Sequence, residues 1–135
     1  MSWKLFDYVN SKKENEIKEW TRNLEKRQIG QLNSKLDRLK DHGKDLLPNL
    51  LTPTKLTPIL EIAIKGNVAL RPLLCEGPTK DSNGHYNKEF TILFGAIEKD
   101  RKYKPKGALE RAKKYRDEVI KDPKNKRCLH ERIEP

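Results

Sequence analysis

The chain has 135 residues, of which 37% are charged and 34% hydrophobic, and its formal net charge is +10. This length is typical of one domain, and the apolar residues cluster into periodic runs, so we expect a single folded domain over residues 1–135. No apolar run reaches the roughly 18 residues that span a membrane, and no apolar signal segment stands at the amino terminus, so we expect a cytoplasmic protein.

The first part of the chain predicts a strand, two helices and a connector. The aromatic-rich stretch 3–9 predicts a short strand at one side of a sheet. Apolar residues then recur at steps of three and four, which predicts amphipathic helices over 13–28 and 31–42 with a break at Gly30. A single bent helix is the alternative if Gly30 is only a weak point. Three prolines within 46–58 exclude a long helix there and indicate a connector.

The middle of the chain contains three apolar runs that are rich in β-branched and large side chains. They cover 59–65, 68–75 and 89–97, and the Gly66-Asn67 pair between the first two is typical of a hairpin. The polar stretch 77–88 separates the second run from the third and predicts a flexible loop. These patterns predict three consecutive antiparallel strands.

The last part of the chain predicts a basic connector over 99–107, a helix over 106–121 and a polar, cationic tail over 124–135. The predicted order is strand, two helices, three strands and a helix. We therefore expect an α+β fold. Its antiparallel sheet would have about four strands, with two amino-terminal helices and one carboxy-terminal helix packed on one sheet face.

The surplus of positive charge makes nucleic acid, an acidic protein or both the natural partners, although a merely soluble, charged surface is the alternative. Cys75 and Cys128 have no metal-ligand spacing with histidine, and His42, His85 and His130 are scattered. No glycine-rich nucleotide loop and no nucleophile motif is present. We therefore expect neither a metal nor a cofactor.

The remaining candidates are cations on or beside the strands. Arg71 lies within an otherwise apolar run, so its guanidinium must be paired or must face an exposed concave surface. Alternation places Arg71 on the face of Leu73, and Glu61 lies on the same face as Lys65 in the preceding strand. These residues would converge into a groove that binds a phosphodiester, together with four cations that follow the third strand, namely Lys99, Arg101, Lys102 and Lys104. A purely structural pair between Arg71 and Glu61 is the alternative.

The order of elements and several short motifs resemble the RelE/ParE toxin superfamily, most closely its phage-derived, HigB-like branch. The motifs are Leu60-Glu61-Ile62-x-Ile64-Lys65, Arg71 in the next strand, the run from Ile92 to Lys99, the basic connector to Pro105, and a helix containing Ala108, Glu110, Arg111 and Ala112. The resemblance covers roughly residues 56–119.

The resemblance implies a RelE-like fold and a toxin of a type II toxin–antitoxin system. Most RelE- and HigB-like toxins cut mRNA on the ribosome without a metal, whereas ParE-like toxins inhibit DNA gyrase. The partners would be mRNA on the ribosome and a small antitoxin protein, which could be a helix-turn-helix protein. A non-catalytic, phage-derived binding protein is the alternative from another class.

In the nuclease interpretation, the ribose 2′-hydroxyl attacks the neighbouring phosphate, which requires a base, a cation and a donor to the leaving oxygen. We expect Arg71 to stabilise the phosphate charge, with Lys65 and Lys99 contacting the backbone or assisting with charge. Tyr103 or His130 would serve as acid, base or stacking partner. The expected RNA-binding cations are Arg101, Lys102 and Lys104.

Overall fold

The computed structural model describes residues 2–66 and 68–135. Within these ranges the chain forms seven strands, four α-helices and one 3₁₀ helix. In chain order they are β1 (Lys4–Tyr8), α1 (Glu16–Arg22), α2 (Lys26–His42), the 3₁₀ helix (Gly43–Leu46), β2 (Leu51–Pro53), β3 (Leu60–Ile62), β4 (Ala69–Glu76), β5 (Glu89–Lys99), β6 (Lys102–Lys104), α3 (Ala108–Lys121), α4 (Pro123–Lys126) and β7 (Arg127–Leu129). The expected Gly66-Asn67 turn includes Asn67, which lies outside the described residues.

The strands form one mixed sheet in the order β2-β3-β4-β5-β1-β7, and β6 also pairs with β5. The expected α+β class is confirmed. The expected sheet of about four antiparallel strands was wrong, because β1 runs parallel to β5 and three additional strands, β2, β6 and β7, extend the sheet in the described residues. Each additional strand has three residues, too few for an alternating pattern to emerge from the sequence.

The longest strand, β5, is the centre of the sheet and has different neighbours along its two edges. Along one edge, residues 90–98 of β5 pair with β4. The other edge is shared, because β1 pairs with the beginning of β5 and β6 pairs with its end. The hairpin between β5 and β6 turns through Asp100 and Arg101, which both have positive φ, as a two-residue type I′ turn requires.

Proline interrupts the strand that was expected over 59–65. The pairs Leu60–Leu74 and Glu61–Leu73 belong to β3 and β4, and Ile64 pairs with Leu70 in the same register. Pro72 lies between these pairs and has no N–H to donate to the ladder. The expected strand is therefore reduced to β3 and one isolated bridge.

The side chains of β4 point alternately into two hydrophobic cores, one on each face of the sheet. Leu70 and Leu74 pack with residues of α1 and α2, whereas Leu73 and Cys75 pack with residues of α3. The expected alternation in this strand is therefore confirmed. The expectation that all helices cover one face was wrong, because both faces of the central strands are apolar and each needs a cover.

The break between the first two helices also differs from the expectation. Lys13 has a φ of 62° and is outside the helix, and α1 begins after Asn15, whose side chain accepts a hydrogen bond from the Lys18 N–H at 2.9 Å. α2 begins after Glu25, whose N–H donates to the Gln28 side chain at 2.9 Å. Gly30 lies inside α2, where its low helix propensity is tolerated. The boundary between α1 and α2 is therefore set by the cap at Glu25 and not by the glycine.

A close approach at Gly95 determines how α1 rests on the sheet. A Cβ atom at this position would lie 2.1 Å from Cδ2 of Trp20, so only glycine lets the indole ring contact the strand. None of the helices within 2–66 and 68–135 is both long enough and apolar enough to cross a membrane.

Candidate functional site

A cluster of polar side chains surrounds Arg71 on the α3 side of the sheet. The Arg71 side chain is only 13% exposed, and its Nε lies 3.7 Å from Oε2 of Glu61 on the adjacent strand β3. Its Nη2 lies 3.4 Å from Oε1 of Glu98 on β5, and Nη1 donates to the backbone oxygen of Leu70 at 3.2 Å. Three neighbouring strands therefore supply one arginine and two carboxylates to a single cluster.

Tyr103 completes this cluster from β6. Its hydroxyl donates a hydrogen bond of 2.7 Å to Oε2 of Glu61. The pairing of β6 with β5 positions Tyr103 directly beside Glu98. Burial, followed by the hydrogen bond to Glu61, raises the pKa of the Tyr103 phenol above its ordinary value. Tyr103 is therefore a protonated donor at neutral pH.

A groove of about 660 Å³ opens beside this cluster, between β6, the segment after β2 and the first turn of α3. Its walls contain three carboxylates, from Glu61, Glu98 and Glu110. Five exposed cations also line it, namely Lys55, Arg101, Lys102, Lys104 and Lys106. None of these five cations forms a salt bridge within the part of the chain that the structure describes. The groove is therefore positive at its rim and has a polar wall formed by Glu61 and Glu98.

The structure brings together six of the residues predicted from the sequence, which are Glu61, Arg71, Arg101, Lys102, Tyr103 and Lys104. Lys65 is elsewhere, because it lines a different groove beside α2. Lys99 alternates with Glu98 along β5 and so lies on the side of Ile97, which packs against the core under α1 and α2. Strand alternation thus separates Lys99 from Arg71, whereas Lys65 lies beyond the point where the pairing of β3 with β4 is interrupted.

His130 directly follows β7, the edge strand at the opposite side of the sheet from β2 and β3. Its Nδ1 is 2.8 Å from Oδ1 of Asp7, a residue that is 1% exposed, and its N–H donates to the backbone oxygen of Leu5 at 3.0 Å. The Asn15 side chain donates to the other oxygen of Asp7 at 2.9 Å. These contacts make His130 an anchor for the tail and place it away from Arg71.

Sequence reasoning missed Glu98, the second carboxylate of the cluster. The register of β4 and β5 explains its position, because Glu98 is two residues from Ala96, which pairs with Arg71. A residue two positions along a strand shares the face, and diagonal neighbours across a strand pair are within reach of long side chains. Lys55 and Lys106 were also missed, because their approach to the groove depends on long-range packing.

Residues 2–66 and 68–135 contain no group of three or more histidine, cysteine, aspartate or glutamate side chains placed to hold a metal ion.

Comparison with known protein families, curated protein sequences and solved structures found no match. The cluster and its groove are therefore the basis for assigning a function.

Proposed function

We propose that the chain is a toxin of a type II toxin–antitoxin system that cleaves mRNA on the ribosome, in the cytoplasm and without a metal or cofactor. The observation that supports this function is the convergence of Glu61, Arg71, Glu98 and Tyr103 beside a groove whose cations form no salt bridge with any described residue. The resemblance of the strand motifs to RelE- and HigB-like toxins gives further support, and a RelE-like fold is part of the proposal.

The cluster offers a group for each requirement of phosphodiester cleavage. Glu98 accepts the proton of the ribose 2′-hydroxyl, because its side chain is 35% exposed and has fewer partners than Glu61. The 2′-oxygen bonds to phosphorus while the bond to the 5′ oxygen breaks, which leaves a cyclic phosphate and a 5′-hydroxyl. Arg71 stabilises the negative charge on the phosphate oxygens. Tyr103 donates a hydrogen bond to the leaving oxygen, which takes its proton from water.

The cations at the rim bind the phosphates on either side of the cleaved bond. Each contact releases counterions, so affinity for RNA falls steeply as salt increases. Replacing Lys102 and Lys104 with glutamine should weaken binding to all RNA sequences and reduce the salt dependence. The same positive rim would bind an acidic or amphipathic antitoxin, whose attachment covers the groove.

A second candidate function is binding without catalysis. Arg71 is already paired with two carboxylates, so a phosphate must displace at least one of them to reach its guanidinium. In that case the cluster holds the strands together, and the cations bind an acidic partner protein. Gyrase inhibition, as in ParE-like toxins, is a variant of this function in which the partner is a host enzyme.

Controlled expression in a bacterium, with primer extension across translated messages, tests these alternatives. The wild-type chain should arrest growth and create new 5′ ends inside reading frames. Glu98→Gln and Tyr103→Phe, which preserve shape, should lose these ends, whereas Lys99→Gln, on the other side of β5, should retain them. Growth arrest with intact messages would refute the nuclease and direct attention to gyrase. The absence of arrest would favour the non-catalytic function.

A further inference from the structure

A separate pocket lies at the other end of α3 from the cationic groove. Its volume is about 420 Å³, within the usual range for small-molecule sites. One wall comes from the loop after β4 and the other from the end of α3 and the beginning of α4. Its polar side is formed by Lys80, Tyr86 and Arg116.

Arg116 presents a nearly buried and poorly neutralised positive charge to this pocket. Its side chain is 13% exposed, and Nη2 donates to the Tyr86 hydroxyl at 3.1 Å. Its nearest carboxylate is that of Asp117, at 3.9 Å from Nη1, and both oxygens of Asp117 already accept from Lys113. The Arg116 Nε is fully buried and has no oxygen or nitrogen acceptor among the described residues. The guanidinium lies beside the Cys75 thiol, whose pKa is raised by burial and lowered to a smaller extent by this guanidinium.

Comparison with two similarly buried arginines shows that this arrangement is unusual for the chain. Arg71 has two carboxylates beside it, and Arg127 pairs with Glu89 and lies over the Phe6 ring. Burying a guanidinium is costly unless it is paired, and a buried N–H without an acceptor adds to that cost. An anion in the pocket would supply a counter-charge to the Nη atoms of Arg116, whose nearest carboxylate is already shared with Lys113.

The rest of the pocket indicates what kind of anion fits. Pro78, Val119, Ile120 and Pro123 provide an apolar wall, and Ile120 is 46% exposed although it is a large hydrophobic residue. Lys80 adds a second positive charge at the mouth, with its Nζ 5.0 Å from the centre of the Tyr86 ring. A ligand that satisfies both parts has a charged end for Arg116 and an apolar body for the wall.

We propose that this pocket binds a small organic carboxylate with an aliphatic or aromatic group. The planar fork of a guanidinium matches the two oxygens of a carboxylate, and the apolar body would cover Ile120. The pocket is at the opposite end of α3 from the cluster around Arg71, so its occupation does not depend on the proposed nuclease function.

Titration of the full chain with cyclohexanecarboxylate, followed through backbone amide resonances by NMR, tests the proposal. Saturable shifts should be centred on Lys80, Tyr86 and Ile120. Two probes separate the contributions of the ligand, because acetate retains the charge without the body and cyclohexanecarboxamide retains the body without the charge. Both should bind at least about tenfold more weakly. Equal binding of the amide, or of inorganic phosphate, would overturn the proposal.

Two variants connect the binding to Arg116 and to the apolar wall. Arg116→Gln should weaken cyclohexanecarboxylate binding at least about tenfold, because the charged hydrogen bonds are lost. Ile120→Glu changes a half-exposed residue, so the fold should persist while the new charge repels the ligand. Arg132→Gln, in the exposed tail, is the matched control and should bind normally. Undiminished binding by folded Ile120→Glu would overturn the proposal even if Arg116→Gln does not fold.

Discussion

Replacing Arg71 with methionine should destabilise the protein chiefly by leaving Glu61 unpaired. Both side chains of this pair are nearly buried, with exposures of 13% and 15%, and breaking a buried pair costs roughly 3–5 kcal/mol. Glu98 is 35% exposed, so solvent screening limits its loss to about 0.5 kcal/mol. We expect Arg71→Met to lower the free energy of unfolding by about 3 kcal/mol, a large part of the roughly 5–15 kcal/mol typical of a domain.

Urea unfolding followed by tryptophan fluorescence can separate the two carboxylates. Adding Glu61→Gln to Arg71→Met removes the unpaired charge and should restore about 2 kcal/mol, since the Tyr103 hydroxyl can still donate to the amide oxygen. Adding Glu98→Gln instead should restore less than about 0.5 kcal/mol. An Arg71→Met protein as stable as the wild type, or a larger rescue by Glu98→Gln, would refute this account of the cluster. The measurement also shows whether lost activity in an Arg71 variant reflects chemistry or unfolding.

Three further outcomes follow from packing and protonation. Gly95→Ala should lower the free energy of unfolding by about 2 kcal/mol, because the new Cβ would collide with the Trp20 ring. Gly30→Ala is the control, because a Cβ there meets nothing within 4 Å. In the same urea assay it should raise the free energy of unfolding by up to about 1 kcal/mol. Burial and the hydrogen bond to Glu118 raise the pKa of Tyr8, so above pH 10 the unfolded chain binds fewer protons than the folded chain, and stability should fall by about 1.4 kcal/mol per pH unit for this group. Tyr8→Phe should remove that part of the slope in urea titrations at increasing pH, and an unchanged slope would contradict the assignment. Burial raises the pKa of Cys75 to about 12, so a thiol reagent at neutral pH should modify the native protein once, at the exposed Cys128, and twice in urea, as counted by mass spectrometry.

The strands whose side chains alternate over several residues could be predicted from the sequence. In β4 the alternation correctly separated Leu70 from Leu73, and this also assigned Arg71 to the face it occupies. β6 could not be predicted, because it has three residues and follows a turn of Asp100 and Arg101 in place of the usual Asn-Gly or Asp-Gly. Packing of the short strand against β5 stabilises that turn, and such packing is not visible in a local pattern.

The candidate site was predictable only in its centre. The environment of Arg71 follows from one principle, that a guanidinium within an apolar strand needs a partner. The position of His130 depends on Asp7, which is 123 residues away in the sequence, and no local spacing indicates that contact. Lys65 was grouped with Glu61 because both were expected in one continuous strand. The proline in β4 interrupts that strand's pairing, and the lysine lies beyond the interruption.

The position of β1 has a consequence for how the protein emerges from a ribosome. β1 is synthesised before the other elements described here, yet it pairs with β5 and β7, and its Tyr8 hydroxyl donates to Glu118, 110 residues later. Its backbone groups must therefore stay hydrated until β5 and β7 have been translated, and contacts of such long range slow folding. We expect nascent chains to leave β1 unpaired until β5 and β7 have been translated, whereas the strands that carry the cluster around Arg71 can pair earlier.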